Sequence, residues 1–285
     1  MPKRPKNTGR PRLNSNYKNM NYKLLFPTYR NRFLFIRRQL KRITAEQQPA
    51  KALNLGAGEG DYDMMIAGHC QQLVSCDINE QDVAYAKELN REVPNVEYRV
   101  ENALKLTFPE NTFDLLLSME VIEHVGDPER MVSEVRRVLK PGGLALITFP
   151  SLDFPFTYDP INRILSWFSD KKISQGAYAF GHEYLISPAK FREWAAAYGL
   201  EIVEETNLSG YLVGLLEMYW TGLIQRIFKA NATNLQEDQK KSLTLRPSMK
   251  EPALAVVTDG ILAIDRALFG KAGHSVGKGF VLRKN

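Results

Sequence analysis

The first chemical signal is the run Leu53-Asn54-Leu55-Gly56-Ala57-Gly58-Glu59-Gly60-Asp61, an apolar strand pattern that enters Gly-x-Gly-x-Gly. Glycines at that spacing let the backbone turn sharply and let a ligand approach the peptide groups. A dinucleotide-binding turn needs its third glycine one place later, where Asp61 stands. An acid at a phosphate approach is a poor choice, so a ligand with no phosphate, or with a cationic centre, fits better. Asp77 closes the next apolar run. At that distance from the turn a carboxylate can accept both hydroxyls of a ribose. Asn102 follows the third run and offers a donor and an acceptor in one plane, which suits an adenine edge; a plain turn residue is the alternative. Glu120, Glu123 and His124 follow the fourth run. Ligands of open α/β sheets bind at the carboxyl ends of the strands, so these three are candidates for polar work, including proton transfer.

The elements that must position these residues alternate from Lys51 onward. Short apolar runs (52–55, 73–76, 96–100, 113–119, 144–149, 201–205) alternate with helical stretches, which is the pattern of a parallel α/β sheet. One helix has a plain start, with Asp127 as cap, Pro128 at the first position and Glu129 in the first turn, and Pro141-Gly142-Gly143 is expected to stop it. A second opens at Ser187-Pro188, buries Phe191, Trp194, Ala195 and Tyr198, and closes at Gly199. Residues 279–283 could form a last strand. Residues 150–186 form a long connection rich in aromatics (Phe154, Phe156, Trp167, Phe168, Tyr178, Phe180). Two apolar helical patterns follow, over 212–228 and 253–269, the second through Leu254, Val257, Ile261, Ile264 and Leu268. Either they pack on the core or on a second subunit, or they roof a greasy substrate or lie on a membrane.

Charge is unevenly spread. The chain of 285 residues has a net charge of +6, yet residues 1–45 hold 13 Lys/Arg and no acid. The remainder holds 25 basic and 32 acidic residues, a balance of −7. Residues 1–20 read as disordered, and 29–43 as a basic helix lying over the next domain. Such an arm can bind an anionic membrane surface or nucleic acid, or stay solvated. Cys70 and Cys76 make neither a disulfide framework nor a metal motif, so no metal is expected. The basic start has no apolar signal-peptide core behind it, and a cytoplasmic protein with peripheral membrane contact is the expectation.

From Tyr29 to about Glu205 the chain resembles a class I S-adenosylmethionine-dependent methyltransferase. It is most similar to the small-molecule branch that includes the ubiquinone and menaquinone biosynthesis enzymes. The resemblance rests on Gly56-x-Gly58-x-Gly60, Asp77, Phe113-Asp114, Glu120-Val121-Ile122-Glu123-His124, Leu139-Lys140-Pro141-Gly142-Gly143 and Phe180-Gly181-His182-Glu183-Tyr184, in that order. It implies a Rossmann-like, doubly wound, mostly parallel seven-stranded α/β sheet. It divides the chain into a basic arm (1–28), a cofactor-binding core (29–206) and a helical insertion with the final strand (207–285). S-adenosylmethionine is the implied cofactor. Gly56, Ala57, Gly58 and Gly60 would line its methionine part. Asp77 would hold the ribose, Ile78, Asn102 and Ala103 would border the adenine, and Met119 would lie near the sulfonium. Asn54 stands where many relatives carry an acid that balances the methionine amino group.

The implied reaction is methyl transfer to oxygen or carbon of a small, apolar or lipid-like acceptor. His124, His182, Glu183 and Glu120 are the candidates for a base. RNA or protein methylation through the basic arm is the alternative, as is a non-catalytic protein that binds S-adenosylmethionine. The strand-four end, Ser118-Met119-Glu120, lacks the Asn/Asp-Pro-Pro-Tyr/Phe motif of enzymes that methylate base amines.

Overall fold

Each run named above becomes a strand; the central ones are apolar throughout because helices cover both faces, whereas 96–100 and 201–205 lie at the sheet edges and keep polar residues. The computed structural model describes residues 21–153, 164–169, 185–216 and 250–285. A helix α1 (Pro27–Glu46) precedes the sheet, and β1 (Lys51–Leu55), α2 (Asp63–Ala67), β2 (Gln72–Asp77), α3 (Glu80–Leu89) and β3 (Val96–Val100) follow. Then come β4 (Phe113–Met119), α4 (Pro128–Val138), β5 (Leu139–Pro150), α5 (Pro188–Ala197), β6 (Leu200–Ser209), α6 (Ala255–Phe269) and β7 (Gly277–Lys284).

The seven strands lie in the order β3-β2-β1-β4-β5-β7-β6. The pairs from β3 to β5 are parallel, and β7 runs antiparallel to both β5 and β6. The order reverses between β1 and β4, which opens a crevice at their carboxyl ends. One apolar layer joins α4 and α5 to the sheet through Met131, Val135, Phe149, Phe191 and Phe280. The other joins α1 and α2 through Phe33, Ile36, Leu40, Met65 and Leu117.

Local chemistry explains the element ends. Asp127 accepts from Arg130 N at 2.9 Å and caps α4, with Pro128 at the first turn. Ser187 makes no side-chain cap, so α5 starts on Pro188 alone. The final strand, expected over 279–283, spans Gly277–Lys284, because its antiparallel register with β5 continues to Pro150.

Helix α1 starts at Pro27, two residues before the expected boundary, and it is built from both its apolar and its basic residues. Tyr29, Phe33, Ile36, Leu40 and Ile43 form its buried stripe. Of the seven cations in residues 21–45, six pair with acids of the body. Lys23 meets Asp61, Arg30 meets Glu251 and Asp259, and Arg32 meets Glu120. Arg37 meets Glu251, and Arg38 and Arg42 share Glu204. The charge asymmetry of the sequence is therefore partly an intramolecular match between the helix and the acidic body. The remaining six cations of the arm lie in residues 1–20, outside the described residues.

The stripe expected at 253–269 forms a helix with the opposite facing. Leu254, Val257, Ile264 and Leu268 are exposed, and Ala255, Thr258, Leu262 and Asp265 are buried. Of the other apolar pattern only residues 211–216 are described, as helix. Most of the aromatic connection lies outside the described residues. Trp167 and Phe168 are within them and exposed.

Candidate functional site

Three left-handed glycines build the turn after β1. Gly56, Gly58 and Gly60 have φ of 72°, 51° and 77°, where a Cβ is disfavoured. The turn is tied to β2, since the amides of Gly56 and Ala57 both donate to the Cys76 carbonyl at 2.9 Å. A Cβ on Gly56 would fall 2.3 Å from Val121 Cγ2, so this glycine lets the turn pack on the segment after β4. A Cβ on Gly58 would meet nothing within 4 Å, which leaves that side of the turn open.

Asp77 stands at the end of β2, beside this opening. Its two carboxylate oxygens accept from Gly58 N at 2.8 Å and Asn79 N at 3.0 Å. Each oxygen keeps a further lone pair. Ile78 is 68% exposed and Val100 is 51% exposed, so the carboxyl ends of β2 and β3 present aliphatic surface. Asn102 is exposed and its Oδ1 accepts from Leu104 N at 2.9 Å, a local turn that leaves one Oδ1 lone pair and the amide nitrogen for another partner. Ala103 is buried in the core.

Beneath the turn lies a buried polar triad that the sequence reading did not single out. Asn54 donates its side-chain amide to Asp63 Oδ1 at 2.8 Å, and Ser75 Oγ donates to Asp63 Oδ2 at 2.9 Å. All three are buried. Burial raises the Asp63 carboxyl above the usual carboxylate range, against the pull of these donors. Asn54 therefore faces Asp63, so a buried acid stands beside it. A Cβ on Gly60 would fall 2.6 Å from Asp63 Oδ2, so the third glycine admits this carboxylate under the turn. The only sequence signal for Asp63 is its place at the first position of the helix that follows Gly60.

Across the crevice, Met119 is buried at the end of β4 and Glu120 follows with φ of 58°. A non-glycine residue in that region is held there by its surroundings. Glu120 N donates to the Thr148 carbonyl at 3.0 Å, and Thr148 Oγ1 donates to Glu120 Oε1 at 2.9 Å. Arg32 of α1 lies 3.3 Å from Glu120 Oε2. A single 3-10 turn, Ile122–His124, comes next. It buries Glu123 completely and leaves His124 exposed. Neither carboxyl oxygen of Glu123 has a hydrogen-bond partner in another described residue. Burial, with the negative charge of Glu120, pushes the Glu123 carboxyl well above its usual range.

The structure thus brings Asp77, the glycine turn, Met119, Glu120 and Glu123 to one end of the sheet. His182 and Glu183 lie outside the described residues. Lys23 and Arg32 had no local sequence signal, because their partners, Asp61 and Glu120, are distant in the chain. Lys23 Nζ sits 2.5 Å from Asp61 and 4.0 Å from Glu59, so the acids of the turn are met by the segment that leads into α1. Among the described residues no group of three or more His, Cys, Asp or Glu could hold a metal ion.

Comparison with known proteins agrees with this arrangement. Residues 53–147 match the family described as a methyltransferase domain. The ubiquinone/menaquinone biosynthesis C-methyltransferase UbiE of Shewanella piezotolerans is 30% identical over 207 residues, which cover 65% of this chain and 81% of that protein. The ubiquinone biosynthesis O-methyltransferase of Rhizobium johnstonii is 29% identical over 167 residues, 56% of this chain and 63% of the relative. The match therefore spans less than two thirds of that second protein's length. Phosphoethanolamine N-methyltransferase 2 of Haemonchus contortus shares the fold, with a TM-score of 0.53 at 19% identity, over 82% of this chain and 48% of that one.

Proposed function

The chain belongs to the class I S-adenosylmethionine-dependent methyltransferases, and on that premise we propose that it methylates a hydroxyl or a ring carbon of a small, apolar or lipid-like acceptor. The observation that carries the reading is the open side of the turn at Gly58, with Asp77 hydrogen-bonded beside it and Ile78 and Val100 exposed nearby. These residues fit the cofactor. A turn open at Gly58 admits an aliphatic chain against the backbone. A carboxylate with lone pairs to spare accepts ribose hydroxyls, and aliphatic surface suits a purine face. Gly56, Ala57, Gly58 and Gly60 would line the methionine part, and Met119 would face the reacting centre. Ile78, Asn102 and Ala103 would border the adenine; Ala103 would act from behind, through the core. Asn54 would act through Asp63 rather than touch the ligand.

When bound, the cofactor supplies a methyl group already activated by a positively charged sulfur. The chain's own task is then to hold, align and dehydrate. Glu120, fixed by Thr148 and Arg32, places a negative charge at the end of β4. Glu123, which burial pushes toward its protonated form, is poorly suited to take the proton of an acceptor hydroxyl, so among the described residues that role would fall to Glu120 or His124. His124 would need to approach from the exposed side of the 3-10 turn. His182 and Glu183 remain candidates for the same step by the family resemblance.

The names of the similar O- and C-methyltransferases support a quinone-like ring as the acceptor. Contact of residues 1–45 with an anionic membrane would fall mainly to the cations of residues 1–20, because the arginines of the helix are paired within the chain. The same pairing weakens the reading as an RNA methyltransferase. Incubation with S-adenosylmethionine and a panel of alkylated phenols and quinols, read by mass spectrometry, tests the proposal. A gain of one methyl group on a phenol or quinol is expected. Binding of S-adenosylmethionine with no product from any of these would favour a non-catalytic role.

A further inference from the structure

Helix α6 is amphipathic in the reverse sense. Thr258 and Asp265 face inward, and Asp259 is partly exposed and paired with Arg30. Thr258 Oγ1 donates to the Leu25 carbonyl at 3.1 Å, and Arg30 makes two bonds of 2.8 Å to Asp259. Asp265 accepts from the amides of Gly210, Leu212 and Val213 at 2.7, 3.0 and 3.2 Å, and so caps the start of the helical turn at 211–216. The outward face carries Leu254, Val256, Val257, Ile264 and Leu268, each between 55% and 69% exposed. Between Ala253 and Lys271 the exposed residues with ionisable side chains are Arg266 and Lys271, both cationic and both at the carboxyl end. Leu215 and Leu216 are also exposed on the turn that Asp265 caps.

Such a row of aliphatic groups, about 22 Å long at the helical rise, needs a cover. Two features select among covers. A protein interface carries roughly one hydrogen bond per 100–200 Å² and is enriched in aromatic residues, yet this face offers aliphatic groups and, besides the two cations and Asp259 at its flank, no hydrogen-bonding side chain. Apart from Asp259, whose carboxylate is paired with Arg30, its charge is cationic and sits at one end, where lipid phosphates can meet it. No described helix is long and apolar enough to cross a membrane, so the face would lie on the bilayer surface.

We propose that the outward face of α6 is a docking surface for an anionic lipid bilayer, with the aliphatic row in the acyl boundary and Arg266 and Lys271 at the headgroups. The proposal does not depend on methyl transfer and is read without it.

The test is co-sedimentation of the full chain with vesicles of phosphatidylcholine alone and of phosphatidylcholine mixed with phosphatidylglycerol, using wild type, V257E/I264E and R266A/K271A. Wild type should bind the mixed vesicles. V257E/I264E should bind them about ten-fold or more weakly, from the lost burial of two aliphatic side chains, with an unchanged Tm. R266A/K271A should lose only the preference for phosphatidylglycerol. Equal binding by wild type and V257E/I264E would overturn the proposal, as would wild type that stays in the supernatant. A Tm lowered by V257E/I264E would show that this chain covers the face itself, and a change from dimer to monomer would show a contact between copies. Either result also overturns it.

Discussion

Asn54 and Asp63 meet at 2.8 Å in the buried layer under the glycine turn, and Ser75 closes the group from β2. The carboxylate ties two neighbouring strands to the helix that follows the turn. Asp63→Ala would leave the Asn54 amide and the Ser75 hydroxyl buried without their acceptor, at about 1–3 kcal/mol for each group. A clear fall in Tm is expected. Thermal unfolding of Asp63→Ala at the wild-type temperature would contradict the assignment.

Gly56 and Gly58 should separate stability from binding. Gly56→Ala places a Cβ against Val121 as well as in a left-handed conformation, so it should lower Tm strongly. Gly58→Ala meets open space and bears only the conformational term, about 1–2 kcal/mol. It should nevertheless weaken S-adenosylmethionine binding, because the methyl group enters the proposed ligand space. Paired melts and titrations check this; unchanged affinity in Gly58→Ala would remove that side of the turn from the site.

Glu123 predicts a pH dependence. Its carboxyl titrates higher in the folded chain than in the unfolded one, whose usual value is about 4.3. Between that value and the raised one, the unfolded chain releases the proton first. Stability should therefore fall as pH rises through this window and level off above it. Glu123→Gln should flatten the slope. Denaturant unfolding across a pH series reads it, and parallel curves for the two proteins would contradict the burial argument.

Arg32 links α1 to the end of β4. Both side chains of the Arg32–Glu120 pair are partly exposed, so Arg32→Ala should change stability by no more than about 1 kcal/mol. Turnover should fall about ten-fold if the charge of Glu120 must be held in place. Full activity in Arg32→Ala would mean that Thr148 alone orients Glu120.

Local patterns were legible in the sequence and distant pairings were not. The strands, the α4 cap at Asp127, the glycine turn and Asp77 follow from runs of a few residues, and the structure places them where those runs imply. Asp63 was missed because its role depends on Asn54 and Ser75 on two other strands. Lys23 and Arg32 read as part of a basic arm, whereas their partners are acids of the body. The stripe of α6 shows the limit most plainly: periodicity identifies the helix, but not which face the fold covers. There the paired groups Thr258 and Asp265 turn inward and leave the aliphatic row outside.

Calorimetric titration of S-adenosylmethionine into wild type and Asp77→Ala tests the central claim most directly. Loss of charge-assisted bonds to the ribose hydroxyls is worth about 1.5–3 kcal/mol each, so Asp77→Ala should bind at least about ten-fold more weakly, with a lowered Tm from the lost acceptor of Gly58 N and Asn79 N but a folded chain at the titration temperature. Equal affinity in the two proteins, or no binding by wild type, would contradict the account.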